Sequence, residues 1–106
     1  MIAPTPTPPY YAVIFTSIRT SEDRDYEKIA RRMEELAKKQ EGYLGIESAR
    51  NELGITVSYW KDLESIKKWK AQSEHAVAQE MGRNYFYTNY KIRICLVQKD
   101  YEFNKN

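Results

Sequence analysis

The chain contains little cysteine and histidine, and these shortages exclude several kinds of protein. It has one cysteine, Cys95, among 106 residues, so an intrachain disulfide and a disulfide-stapled secreted scaffold are excluded. With a single histidine, His75, the usual zinc sites cannot be assembled either. We therefore expect no metal site, and a reducing, cytoplasmic location.

Long apolar runs and an excess of one charge are also missing. No run approaches the roughly 20 apolar residues that span a bilayer, and the first residues lack the basic start and apolar core of a signal peptide. The 17 basic and 15 acidic residues leave a net charge of +2, too little to draw the chain to nucleic acid or membrane. We expect neither partner.

Glycine-rich loops and catalytic triads are absent as well. No phosphate-binding loop, dinucleotide fingerprint or Ser-His-Asp constellation can be found. Hydrolase, kinase and nicotinamide-dependent activities therefore have no support.

The prolines mark the start of the folded domain. All four lie within residues 1–9, and proline favours extended, unpaired backbone. This pattern predicts a disordered or extended tail over residues 1–9, one domain over residues 10–98 and a C-terminal tail over residues 99–106.

The rest of the chain alternates between strand and helix patterns. β-branched and aromatic runs predict strands over residues 10–18, 43–50, 55–60 and 90–97, and the short polar segment 51–54, which ends in Gly54, predicts a hairpin turn. A first helix is predicted from Tyr26, after the capping residues 20–25, with a left-handed C-cap at Gly42. Its buried side is predicted from six apolar residues at helical spacing: Tyr26, Ile29, Ala30, Met33, Leu36 and Ala37.

A second helical region is predicted to begin at Asp62, with Leu63, Ile66 and Trp69 on its buried side. Ser73 resembles a new N-cap, which predicts a break into two pieces, the second ending at Gly82.

The order β-α-β-β-α-β predicts an α+β, ferredoxin-like antiparallel sheet with both helices on one face. One alternating set of residues in the last strand, either Ile92, Ile94 and Leu96 or Arg93, Cys95 and Val97, must point away from the helices. Either set is mostly apolar and would form a large exposed patch on a monomer. We therefore expect a homodimer in which two sheets pair face to face.

Trp60 and Trp69 are the first candidates for a ligand site. They lie nine positions apart, one at the end of a strand and one on the following helix, which could place both near the gap between sheet and helices. They could equally be core aromatics.

His75 is the one side chain whose unperturbed pKa, ~6.5, suits proton transfer near neutral pH. A structural role at the predicted helix break is an equal alternative.

Arg93 interrupts an apolar strand, where a guanidinium must meet a carboxylate, a carbonyl or an anionic ligand. Glu47 is a candidate partner on a neighbouring strand. The nearby tyrosines, among them Tyr87 and Tyr90, suit recognition of an aromatic molecule or a dimer interface.

The chain contains the segments GYLGIES (residues 42–48), ITVSYWKD (55–62) and IKKWK (66–70), followed by SEH (73–75). Together these segments resemble the antibiotic biosynthesis monooxygenase domain. The resemblance covers residues 10–98 and implies a dimeric α+β barrel. Studied members oxidise aromatic substrates with molecular oxygen and no metal, flavin or other cofactor, and others act on quinols.

The resemblance also implies roles for individual residues. Anthrone-type oxygenases have an Asn four residues before the helix Trp and a Tyr six residues after it; this chain has Ser65 and His75 there. The haem-degrading branch has a His ten residues after that Trp, where this chain has Gln79, so haem binding is the weakest alternative. We expect Trp69 and His75 to be catalytic and a small aromatic ligand to contact a second group: Trp60, Ser65, Arg93, Tyr87 and Tyr90.

Three functions are therefore open. The first is a cofactor-independent monooxygenase acting on an electron-rich quinol or phenol, the second a dimeric module that binds a small molecule without turnover, and the third a haem-binding protein.

Overall fold

A computed structural model describes residues 1–21, 25–80 and 86–105, apart from the side chains of residues 77–80. The elements are β1 (Tyr10–Arg19), α1 (Tyr26–Lys38), β2 (Tyr43–Arg50), β3 (Gly54–Trp60), α2 (Leu63–Glu80) and β4 (Tyr87–Val97). No helix in these residues is long and apolar enough to cross a membrane.

The four strands form one antiparallel sheet in the order β2-β3-β1-β4. Tyr11 of β1 stands opposite Trp60 of β3 and Leu96 of β4, so these side chains share a face, because directly opposed residues point the same way. Both helices pack on this face, and the predicted ferredoxin-like α+β fold is confirmed.

The buried core lies at the end of the sheet where β3 finishes. Trp60, Ala37 of α1 and Ile66 of α2 are at most 5% exposed. Four half-buried residues pack around them: Tyr11, Val13, Tyr43 and Trp69. One tryptophan therefore joins the two helices to the sheet.

The two helix starts differ in how they are capped. Asp62 caps α2 as predicted, because its carboxylate accepts a 2.8 Å hydrogen bond from the Ser65 amide. Asp25 stands at the N-cap of α1 in a left-handed conformation without a side-chain capping bond, and residues 22–24 of the predicted capping stretch lie outside the described residues.

The predicted helix break at Ser73 is wrong. α2 runs without interruption through this position, and the Ser73 hydroxyl donates to the Lys70 carbonyl 3.1 Å away. A serine inside a helix can satisfy its hydroxyl in this way, so its presence does not require an N-cap. The predicted end at Gly82 lies outside the described residues.

Other details of the helices also differ from the predictions. Ala30 and Leu63, both assigned to buried sides, are exposed. Gly42 does have a positive φ of 86°, but the helix C-cap is Lys39. Gly42 is required instead by close approach, because a methyl group there would overlap the Ser65 side chain.

Two strands begin before their predicted starts. β3 starts at Gly54, which was assigned to the turn, and β4 starts at Tyr87 rather than residue 90. The other strands match their predicted ranges to within one residue.

The N-terminal segment contacts the sheet face that points away from the helices. The Ala3 amide donates to Glu47 Oε2 at 2.8 Å, and the Thr5 hydroxyl donates to the Tyr10 hydroxyl at 2.8 Å. Tyr10 in turn donates to Asp100 at 2.5 Å. Residues 1–9 are thus outside the sheet ladder but hydrogen-bonded, whereas the tail boundaries remain predictions.

Candidate functional site

The structure separates the seven predicted site residues into different regions. Trp60, Trp69 and Ser65 lie near the core, and Tyr87 and Tyr90 lie at the other end of the helix-covered face. His75 is on the outside of α2, and Arg93 is on the opposite face of the sheet.

The two tryptophans meet as the sequence suggested. Their rings stack with centroids 5.9 Å apart and an interplanar angle of 22°. Trp60 is fully buried, and its indole N–H donates to the Ser58 hydroxyl at 2.8 Å. Trp69 remains half-buried, so Trp60 acts as the fixed support and Trp69 is the ring that a ligand could reach.

Ser65 is buried against the loop between α1 and β2. It is 6% exposed, packs over Gly42 and hydrogen-bonds to Asp62. These hydrogen bonds hold the pKa of Asp62 below its usual value. Ser65 therefore has a clear structural role here, and its role toward a ligand remains a prediction.

His75 lies on the solvent side of α2. It is six residues beyond Trp69, which corresponds to about 9 Å along the helix and about 120° around it. Its side chain is exposed, and no described residue hydrogen-bonds or ion-pairs with it. The structure therefore does not bring His75 and Trp69 together on one helix face.

Arg93 faces away from the helices. It stands opposite Ile14 in the β1–β4 ladder and is exposed. The suggested partner Glu47 is wrong, because β2 and β4 are the two outer strands of the sheet. Glu47 instead accepts hydrogen bonds from Tyr59 and Ala3.

Tyr87 and Tyr90 belong to an aromatic group that the sequence pattern only partly indicated. Phe15 lies 5.3 Å from both rings, and Tyr26 at the start of α1 contacts Tyr87 through hydroxyl groups 3.2 Å apart. Phe86, 6% exposed, packs edge-on against Tyr26.

Two arginines were missed in this group. The guanidinium carbon of Arg19 lies 3.6 Å from the centre of the Tyr26 ring. The guanidinium carbon of Arg50 lies 5.9 Å from the centres of both the Tyr26 and the Tyr87 rings. Arg19 and Arg50 stand at strand ends, where sequence spacing carries no signal of proximity. We call Arg19, Arg50, Tyr26 and Tyr87 the arginine–tyrosine cluster.

Charge and burial act in opposite directions on Tyr87. Burial, followed by the hydrogen bond to Tyr26, raises the pKa of Tyr87 well above its usual value. The positive charges of Arg50 and Arg19 work against that increase. Tyr87 therefore stays a neutral phenol beside two cations at neutral pH.

The fold and the paired tryptophans place the chain among the ferredoxin-like α+β domains whose helices cover one sheet face. A family profile described as antibiotic biosynthesis monooxygenase matches residues 9–81, more than half of the chain. The chain belongs to the antibiotic biosynthesis monooxygenase family.

Relatives and solved structures agree with this assignment. The uncharacterized protein YqjZ of Bacillus subtilis is 43% identical over 107 residues, covering 99% of this chain and 94% of that protein. PA3566 from Pseudomonas aeruginosa matches with a TM-score of 0.62 at 16% identity, over 86% of this chain and 96% of that one. A proposed antibiotic biosynthesis monooxygenase from Chloroflexus aurantiacus matches with a TM-score of 0.61 at 16% identity, over 90% and 99% respectively. These two structures support the fold alone.

Proposed function

We propose that the protein is a monooxygenase that oxidises a small electron-rich aromatic compound, a quinol or phenol, with molecular oxygen and without a cofactor. Membership of the family supports this class of reaction. The main structural support for the proposed site is the Trp60–Trp69 stack, in which the Trp69 ring stays half-buried and accessible to a ligand.

The reaction needs a base and a substrate that can reduce oxygen. For a substrate with an activated methylene group, that group and one molecule of oxygen give a carbonyl group and one molecule of water. Both C–H bonds of the methylene and the O–O bond break, and one oxygen atom enters the carbonyl group while the other leaves as water. The substrate provides all the electrons, and His75 takes the first proton and returns it to the departing water.

Trp69 would form a wall of the substrate site and hold the aromatic ring. A flat indole backed by a second, immobile indole gives a large apolar surface at little cost in conformational entropy. Trp60 acts through Trp69, and Ser65 is a further proposed contact. Tyr87 and Tyr90 lie at the other end of this sheet face and Arg93 lies on the opposite face, so their contacts with a ligand remain separate predictions that do not depend on the tryptophan stack.

Oxygen uptake with hydroquinones and phenols that carry an activated methylene tests the proposal. We expect uptake by the native protein and incorporation of one labelled atom from ¹⁸O₂ into the product. His75→Ala should lower kcat by about a hundredfold, the size of a general-base effect, and Trp69→Phe should chiefly raise KM. Lys67→Ala, an exposed position on the same helix, is the matched control and should behave like the native protein. Equal, near-zero uptake by all four proteins would remove the proposal.

A second candidate is a module that binds a small aromatic compound without turnover. The exposure of His75, away from Trp69, favours it, because a base must come within hydrogen-bond reach of its substrate. On this alternative, His75→Ala binds the compound as tightly as the native protein while Trp69→Ala does not, and neither consumes oxygen.

We also propose that two copies pair through the sheet face that points away from the helices, in the cytoplasm. Ile18 and Ile55 on this face are 43% and 41% exposed. Tyr101 and Phe103, just beyond β4, are 96% and 85% exposed. A second copy would cover this apolar surface.

A further inference from the structure

The arginine–tyrosine cluster lies apart from the tryptophan stack. Along β1, Tyr11 stands opposite Trp60 and Ser17 stands opposite Gly54. The six residue steps of extended strand between them separate the two ends of the helix-covered face by roughly 20 Å. A small molecule held by Trp69 therefore cannot reach Arg50, and the cluster has to be explained separately.

Contacts with Ser17 and Gly54 hold the Arg50 side chain in place. Its Nη2 donates to the hydroxyl of Ser17, which is 1% exposed. Its guanidinium occupies the space where Gly54 lacks a side chain, since a methyl group there would overlap it. Side-chain entropy is thus already reduced before any ligand arrives.

The charge of Arg50 is not balanced locally. Within residues 1–21, 25–80 and 86–105, no carboxylate comes within salt-bridge distance of its guanidinium. The guanidinium carbons of Arg19 and Arg50 lie 3.6 Å and 5.9 Å from the centre of the Tyr26 ring, an aromatic ring that both contact. An anion placed beside Arg50 would balance its charge and accept the in-plane hydrogen bonds that a guanidinium offers.

Aromatic rings line one side of the two arginines. Tyr26 and Tyr87 join hydroxyl groups at 3.2 Å, and Phe15 and Tyr90 continue the ring surface. Tyr90 is 47% exposed and Arg50 is exposed, so the cluster opens to solvent on that side. Ring walls beside a cation fit a flat ligand that carries its own negative charge.

We propose that the arginine–tyrosine cluster is a binding site for a small aromatic carboxylate. Arg50, positioned by Ser17, holds the carboxylate through paired hydrogen bonds. The tyrosine rings contact the aromatic part of the ligand. This site goes beyond the proposed oxidation and does not depend on it.

Calorimetric titration of the full-length protein with three probes tests the site. Benzoate carries both the charge and the ring, benzamide has the same shape without the charge, and sulfate has charge without the ring. We expect benzoate to bind at least tenfold more tightly than either of the others. Benzamide or sulfate binding as tightly as benzoate would overturn the proposal. This comparison uses only the native protein, so it does not depend on whether a variant folds.

Variants then locate the binding. Arg50→Gln should weaken benzoate binding at least tenfold, and Arg50→Lys should recover only part of it, because lysine keeps the charge but not the planar fork. Arg31→Gln, an exposed arginine on α1, is the control for net charge and should bind as the native protein does. Equal loss in Arg31→Gln and Arg50→Gln would place the effect in general electrostatics and refute the site. Trp69→Ala should leave benzoate binding unchanged, which separates this test from that of the oxidation.

Discussion

At the scale of single residues, neighbours in β3 serve two different surfaces. Trp60 points into the core beneath the helices, whereas Tyr59, the preceding residue, points to the opposite face of the sheet, where its hydroxyl donates to Glu47 Oε1 at 2.7 Å. Burial, and then this hydrogen bond, raise the pKa of Tyr59 to about 12. The neutral phenol is therefore the form that the folded protein prefers.

This shift predicts a loss of stability at alkaline pH. An unfolded tyrosine ionises near its usual pKa of 10.0, and the folded one near 12. The contribution of Tyr59 to the free energy of unfolding is complete below pH 10 and is lost as the pH rises from 10 to 12. Urea unfolding between about pH 9 and pH 11 should therefore show a smaller decrease for Tyr59→Phe than for the native protein. Tyr101→Phe, at an exposed tail position, is the control, and the same decrease in all three proteins would contradict the prediction.

At the scale of elements, α2 depends on its first turn for its position. Asp62 accepts hydrogen bonds from Ser65, and Ser65 packs against Gly42 in the loop that follows α1. The same turn leads to Ile66 and Trp69, which contact Trp60. The Asp62 cap therefore orients α2, the helix on which Trp69 lies.

Removal of this cap should lower stability in a pH-dependent way. We expect Asp62→Ala to unfold at a lower temperature than the native protein, since the Ser65 amide loses its acceptor. Because the folded pKa of Asp62 is lowered, the stabilisation is present above the unfolded pKa and disappears as the pH falls through the folded one. Thermal unfolding followed by circular dichroism should thus show a difference at neutral pH that shrinks in acid. A midpoint for Asp62→Ala no lower than that of Lys67→Ala, an exposed position of the same helix, would argue against the cap.

At the scale of the whole molecule, the two faces of the sheet are covered unequally. The helices pack on the face of Trp60, although Ile92, Ile94 and Leu96 of β4 on that same face stay about half exposed. The opposite face carries Ile14, Val57 and their apolar neighbours. The N-terminal segment reaches only part of this face, near Glu47 and Tyr10. A second copy is our explanation for what covers the rest.

Sedimentation at micromolar concentration tests the pairing. The native protein should sediment as a dimer, and Val57→Lys should sediment as a folded monomer, because it buries a charge at the proposed contact. Glu52→Lys, in the exposed turn between β2 and β3, changes the charge by two units rather than one at a position away from the contact and should leave the dimer intact. A native protein that sediments as a stable, folded monomer would refute the pairing.

The amino-acid sequence by itself determined the order of elements and the fold class, and it left open whether Trp60 and Trp69 line a ligand site or are core aromatics. Alternation and helical spacing are local properties, and the connection rules for this order leave few topologies. The tertiary structure alone decided which face each residue occupies, and this placed Arg93 away from Trp69. It also decided that Ser73 continues a helix and that Arg19 and Arg50 meet around Tyr26. Contacts between distant strand ends depend on sheet register and on the path of the connecting helices, and neither leaves a periodic pattern in the residues concerned.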